Sequence, residues 1–173
     1  SETLATNYNL TTASCIDSNG ANSGNSTVAF GSLSANQLTI PAANIVAGAD
    51  IVCTFTNNRK SATFQIGKVW GSNSLNGNVA NIAATTGLTN NTSALSSTAS
   101  TNTTGTSVTV FAGETVTLPA ETMTSGILNN YNTILSCSAG GGTTANSLSG
   151  TNGQSSNTLM IGAGDESKII TCN

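Results

Sequence analysis

Two series of residues recur in the same order about 120 positions apart, and no other feature constrains the chain so strongly. The first runs Glu2-Thr3-Leu4, Tyr8, Cys15, a Gly/Asn/Ser loop, Asn36-Gln37-Leu38-Thr39-Ile40 and Ile51-Val52-Cys53. The second runs Glu121-Thr122-Met123, Tyr131, Cys137, a Gly-rich loop, Asn157-Thr158-Leu159-Met160-Ile161 and Ile170-Thr171-Cys172. Chance can match one pair of landmarks, but not the whole order. The copies are unequal: residues 62–173 hold a whole repeat, residues 58–61 link the two, and residues 1–57 match only the second half of one. Nothing before the first copy corresponds to the stretch from Phe64 to Pro119. A half-module leaves strand edges and half a core exposed, which is costly in water. We therefore expect either a preceding repeat or another subunit to complete it. Ser1 is not an initiator methionine and no leader precedes it, which suits a processed or excised chain.

The junction reads as strand, short linker, strand. Ile51, Cys53 and Phe55 alternate with polar residues, as do Phe64 and Ile66, and Asn57-Asn58-Arg59-Lys60 lies between them as a polar, charged hinge. Period-two alternation marks a half-buried strand, because successive side chains leave a strand on opposite faces. Further strands are expected at 63–70, 79–84, 107–111, 115–118, 130–137, 158–161 and 168–172, with loop or short edge strands over 85–106. Ala112-Gly113-Glu114 reads as a tight hairpin turn joining two of them. Many short strands, turn signals between them and no helical period predict an all-β chain built as β-sandwiches.

Four cysteines without a histidine restrict the chemistry. A Cys/His zinc site is excluded, and the cysteines lack the short paired spacing of a four-thiolate site. Two disulfides formed in an oxidising compartment account for them better than free buried thiols do. Of the three possible connectivities, the repeat selects pairing within each half-module, Cys15 with Cys53 and Cys137 with Cys172. Such ties would keep the chain between them from extending under load.

Charged residues make up 6% of the chain, so neutral Ser, Thr, Asn and Gly must form the wet surface. With only 4 Lys and Arg and a net charge of -3, there is no basic patch to displace the counterions of a nucleic acid. No apolar run is long enough to span a membrane as a helix. Without histidine and with scattered acids, no nucleophile has an identifiable base, so the reading is not an enzyme and needs no cofactor or metal. Asp165-Glu166 reads as a solvated turn rather than a cation site. Gly140-Gly141-Gly142 reads as a flexible turn, since no P-loop lysine follows it.

Phe64-Gln-Ile-Gly-Lys68-Val-Trp70, Val110-Phe-Ala-Gly-Glu114-Thr-Val-Thr-Leu-Pro119-Ala-Glu121, the stretch Tyr131 to Cys137 and the closing Cys172 together carry a resemblance, as does Cys53-Thr-Phe-Thr-Asn57 in the first copy. The pattern resembles the prealbumin-like repeat domains of large bacterial surface proteins, relatives of collagen-adhesin B-type and pilin domains. It covers the second copy fully and the first in part. The resemblance implies tandem immunoglobulin-like or transthyretin-like sandwiches, one complete and one half, in a stalk, pilus-like fibre (fimbrium) or adhesin outside the cell. The implied partners are other copies or neighbouring repeats joined head to tail. The alternative is an adhesin module that binds a surface glycan or host protein through its polar loops. Pilin relatives often carry a Lys–Asn isopeptide bond promoted by an acid. Here the resemblance implies Lys68, Glu114 or Glu121, and Asn173 for those roles, with a mass short by one ammonia as the sign of the bond. The plainer readings of Lys68 are a bulge at Gly67, or a stem lying along the sandwich with a wet ammonium.

Overall fold

A computed structural model describes residues 1–139 and 148–173, so the Gly140-Gly141-Gly142 turn lies outside the described residues. Contacts divide the chain into two compact units, Ser1–Arg59 and Lys60–Asn173.

In the first unit, β1 (Tyr8–Asp17) pairs antiparallel with β4 (Ile51–Arg59), and Cys15 stands directly opposite Cys53. Those two cysteines are joined by a disulfide. The register slips once, between Leu10 and Thr12, where the Thr11 hydroxyl donates to the Thr56 carbonyl at 2.9 Å. Between the long strands lie a one-turn helix α1 (Gly20–Ser23) and the hairpin of β2 (Ser32–Ser34) with β3 (Gln37–Thr39). The single turn escaped the sequence reading because four residues are too few to show a helical period. Nor is Asn57-Asn58-Arg59 a hinge. These residues are the end of β4, and the boundary between the units falls after Arg59.

Asp17 holds the loop together at the end of β1. Its carboxylate accepts the Asn19 and Asp50 N–H groups at 2.9 Å each, the Asn25 carboxamide at 3.0 Å and the Ser23 hydroxyl. These bonds, the Ser23 hydroxyl foremost, bring its pKa down to about 2, against an opposing effect of burial. A carboxylate with a depressed pKa stabilises the fold above its unfolded value near 3.9 and loses that contribution as pH falls toward the folded value. The amide protection of residues 1–59 is therefore expected to be level above about pH 4 and to decline between about pH 4 and 2. Asp17→Asn should lower protection at neutral pH and flatten that decline, which pH-resolved hydrogen exchange measures directly.

The second unit begins with β5 (Ser61–Lys68), the strand on which its largest sheet is organised. The chain then forms β6 (Val79–Ile82), β7 (Leu95–Thr98), β8 (Thr103–Thr104), β9 (Val108–Phe111), β10 (Thr115–Leu118), β11 (Glu121–Ser125), β12 (Ile134–Leu135), β13 (Cys137–Ala139), β14 (Thr151–Asn152), β15 (Asn157–Met160) and β16 (Ile169–Cys172). One sheet runs β13-β16-β5, with β8 and β9 along the far edge of β5. The β5–β16 pairing is parallel, Ile170 beside Phe64 and Cys172 beside Ile66, whereas β13 and β16 are antiparallel with Cys137 opposite Cys172. These cysteines form the second disulfide. Separate pairings join β11-β6-β7, β10-β15 and β12-β14.

Alternate residues of these strands converge on one core. Phe64, Ile66, Val110, Val116, Leu118, Leu159, Ile161 and Ile170 fill it together with Cys137 and Cys172. Leu88 and Leu95 reach the same core and anchor the start of the Thr/Asn/Ser-rich stretch after Ala84, where buried Thr85 and Thr92 satisfy one another. Ala112-Gly113-Glu114 does not close a hairpin, because β9 pairs with β5 while β10 pairs with β15. It is a corner that carries the chain from one layer of the sandwich to the other. Gly113 adopts φ 87° there and donates to the Ile161 carbonyl at 2.7 Å.

Candidate functional site

The alternation that sends Phe64 and Ile66 inward places Lys68 two residues further along the same face of β5. The strand runs unbroken to Lys68, so Gly67 makes no bulge. Its missing side chain serves close approach instead, since a Cβ on Gly67 would lie 2.2 Å from Oδ1 of Asn173. Past Gly67 the ammonium of Lys68 lies 2.9 Å from each carboxylate oxygen of Glu121, on β11, with only 14% and 11% of the two side chains exposed. It also stands 4.7 Å from the centroid of the Trp70 ring, within cation–π range. Trp70 meets Tyr131 edge to face at 5.8 Å and donates its indole N–H to Ser97 at 3.0 Å. The Tyr131 hydroxyl accepts from the Asn78 carboxamide at 2.6 Å and the Leu75 N–H at 3.1 Å. Neither the Trp70–Tyr131 contact nor its polar collar has a local signal, because its members come from four separate parts of the chain.

Glu121, then, is the acid placed on Lys68. Glu114 is engaged elsewhere: its carboxylate accepts the Thr89 hydroxyl, the Thr89 N–H at 3.3 Å and the Phe111 N–H at 3.0 Å, which braces the corner after β9. Asn173 extends the line of β16 and exchanges two backbone bonds of 2.9 Å with Ser136. Asp165 corrects the expectation of a solvated acidic turn. It is buried, in a 3-10 turn over Ala163–Asp165, and its carboxylate accepts the Gly162 N–H at 2.9 Å. Among the described residues no group of three or more His, Cys, Asp or Glu is placed to hold a metal.

A nearly buried ion pair costs more to break than to replace, because removing one partner strands the other charge. Glu121→Leu alone should destabilise the second unit more than the joint change Lys68→Met with Glu121→Leu. The coupling across the double-mutant cycle is expected at about 1–3 kcal/mol in urea unfolding.

Two family matches cover the chain. Residues 1–59 match one SpaA-type prealbumin-like fold domain and residues 64–173 match another. The chain belongs to the prealbumin-like fold domains of the SpaA type. Comparison with curated proteins and with solved structures gives no significant match. Membership agrees with the all-β sandwich and the two disulfides, and prealbumin-like domains of this type are structural parts of pilin and adhesin shafts at the cell surface. No helix among the described residues is long and apolar enough to cross a membrane. The cluster around Lys68 in this prealbumin-like chain is thus a point where strands are tied together, at the end of β5 and beside the last residues of β16.

Proposed function

We propose that this prealbumin-like chain is a load-bearing segment of an extracellular fibre or adhesin stalk, and that its first unit is a half-module completed by strands from a neighbouring repeat or subunit. One observation carries the reading. The two units share the same disulfide-locked antiparallel pair, Cys15 opposite Cys53 and Cys137 opposite Cys172, yet only the second buries that pair in a core. Of the apolar side chains in residues 1–59, Cys15 alone is buried, while Ile16, Val52 and Ile45 are 45%, 48% and 66% exposed. Among the described residues no strand lies on the edge of β4 away from β1. The equivalent edge of β16 carries β5, the strand for which the first unit has no counterpart. An open edge beside uncovered apolar residues is the arrangement that strand addition completes. Heterologous completion of this kind propagates head to tail.

Sedimentation and electron microscopy of purified residues 1–173 test the proposal. Concentration-dependent linear assemblies, with amide protection gained across β4, are the expected result. A strictly monomeric species in which residues 1–59 are already as protected as residues 60–173 would overturn it.

A further inference from the structure

Three Asn-Gly steps occur in the chain, Asn19-Gly20, Asn76-Gly77 and Asn152-Gly153. At such a step the backbone nitrogen of the glycine attacks the asparagine carboxamide, because glycine has no Cβ to shield it or stiffen the chain. Ammonia leaves and a five-membered cyclic imide forms. Water then opens the ring at either carbonyl, giving aspartate or isoaspartate, in which the main chain runs through Cβ. The attack needs a glycine N–H not engaged in a hydrogen bond, a carboxamide able to turn toward it and a backbone able to bend, so that the reacting atoms meet in line. Two of the three steps lack these conditions.

The Asn19 carboxamide donates to the Gly48 carbonyl and accepts from the Asn22 carboxamide, each at 2.7 Å, and Gly20 is buried at the start of α1. Asn152 lies in β14, where its side-chain oxygen accepts the Gln154 N–H at 2.9 Å and the Gly153 N–H donates to the Thr133 carbonyl at 3.2 Å. Asn76-Gly77 is the reverse case. Both residues are exposed at the tip of a turn, closed by the Asn78 N–H on the Leu75 carbonyl at 3.2 Å. Among the described residues neither the Asn76 carboxamide nor the Gly77 N–H has a hydrogen-bond partner. A Cβ on Gly77 would meet nothing within 4 Å, so the space around the attacking nitrogen is open.

The residues on either side of this step are the ones that hold Tyr131. The Leu75 N–H and the Asn78 carboxamide both donate to its hydroxyl. Asn78 is itself fixed, since its carbonyl accepts the Ala99 N–H at 2.8 Å and its carboxamide packs so closely on Gly126 that a Cβ there would lie 2.6 Å away. An isoaspartate at position 76 lengthens the main chain between those two donors by one carbon and adds a carboxylate. The spacing that lets both reach one oxygen is then lost. Tyr131 in turn meets Trp70 edge to face. We propose that Asn76-Gly77 is a site of spontaneous deamidation and backbone isomerisation, and that the isoaspartate form releases the Tyr131 hydroxyl and loosens the Trp70–Tyr131 contact. The site lies within the second unit and is independent of how the chain assembles.

The test ages the full chain at neutral pH and physiological temperature, digests it in acid, which preserves the imide, and reads the peptides by electron-transfer fragmentation, which separates isoaspartate from aspartate. Conversion at Asn76 should run about tenfold or more faster than at Asn19 or Asn152, where local opening must come first. It should slow as pH is lowered, because the attacking nitrogen has to lose its proton, and Asn76→Gln should abolish it without disturbing the fold. The imide is lighter by one ammonia, as a Lys–Asn isopeptide would be, but its deficit maps to a single peptide around Asn76 and vanishes when base opens the ring. Trp70 is the chain's single tryptophan, so its emission reports the second half of the proposal. Aged chains, separated by anion exchange through their added charge, should emit at longer wavelength, whereas fresh Asn76→Asp, which adds the charge without the extra carbon, should emit as the unaged chain does. Conversion at Asn76 no faster than at the other two steps, an isoaspartate form whose emission is unchanged, or the same shift in fresh Asn76→Asp would overturn the proposal.

Discussion

Serine at positions 15 and 53 is expected to leave residues 1–59 without a stable fold in the isolated chain, while residues 60–173 keep theirs. The two disulfides close stretches of similar length, with sequence separations of 38 and 35, so on the chain-entropy account each contributes about 4 kcal/mol. What differs is the remainder. Residues 60–173 would retain a core built on Phe64, Ile66, Val110, Val116 and Ile161, all essentially inaccessible to solvent. Residues 1–59 would retain a two-stranded pair, a short hairpin and the Asp17 hydrogen bonds, and an isolated strand pair is marginal in water. Heteronuclear spectra of Cys15→Ser with Cys53→Ser should show collapsed dispersion for residues 1–59 and unchanged shifts for the rest. The matching change at Cys137 and Cys172 should lower the urea midpoint of the second unit without unfolding it in buffer. Equal effects from the two pairs would contradict the assignment of the core to one unit.

The largest single-residue effect is expected at Phe64. Its side chain is fully buried at the centre of β5, between β16 on one edge and β9 on the other. Few other aromatics are available to close over a cavity left there, since aromatic residues are 4% of the chain. Phe64→Ala should cost about 3–5 kcal/mol in equilibrium unfolding of the second unit, the transfer and cavity contributions together. Val52→Ala, on the exposed face of β4, should stay within about 0.5 kcal/mol in the isolated chain and serves as the control.

How much of this was legible depended on whether a signal was local or relational. The cysteine pairs could be read because the repeat supplied a second copy of each relation, and the strand containing Phe64 and Ile66 because burial on one face imposes alternation. The Ala112-Gly113-Glu114 turn was misread because a hairpin and a sandwich corner both ask for glycine at positive φ. Which strand then lies alongside is decided by Leu159 and Ile161 far along the chain. Asn57-Asn58-Arg59 looked like a linker because it is polar, yet β4 is largely exposed there and a strand without a buried face need not alternate. Asp165 looked wet because acids usually are; only its bond to the Gly162 N–H, three residues back, marks it as the fastening of its own turn. Lys68 and Glu121 were both candidates from the resemblance, but choosing Glu121 over Glu114 needed the pairing of β11 with β6.

The parallel alignment of β5 with β16 bears on how the second unit responds to tension. Its entering strand and its leaving strand are neighbours that point the same way, so a pull on the chain before Ser61 and after Cys172 slides one along the other lengthwise. Every rung from Thr63–Ile169 to Ile66–Cys172 then resists at once, in shear, instead of opening one at a time like a zip.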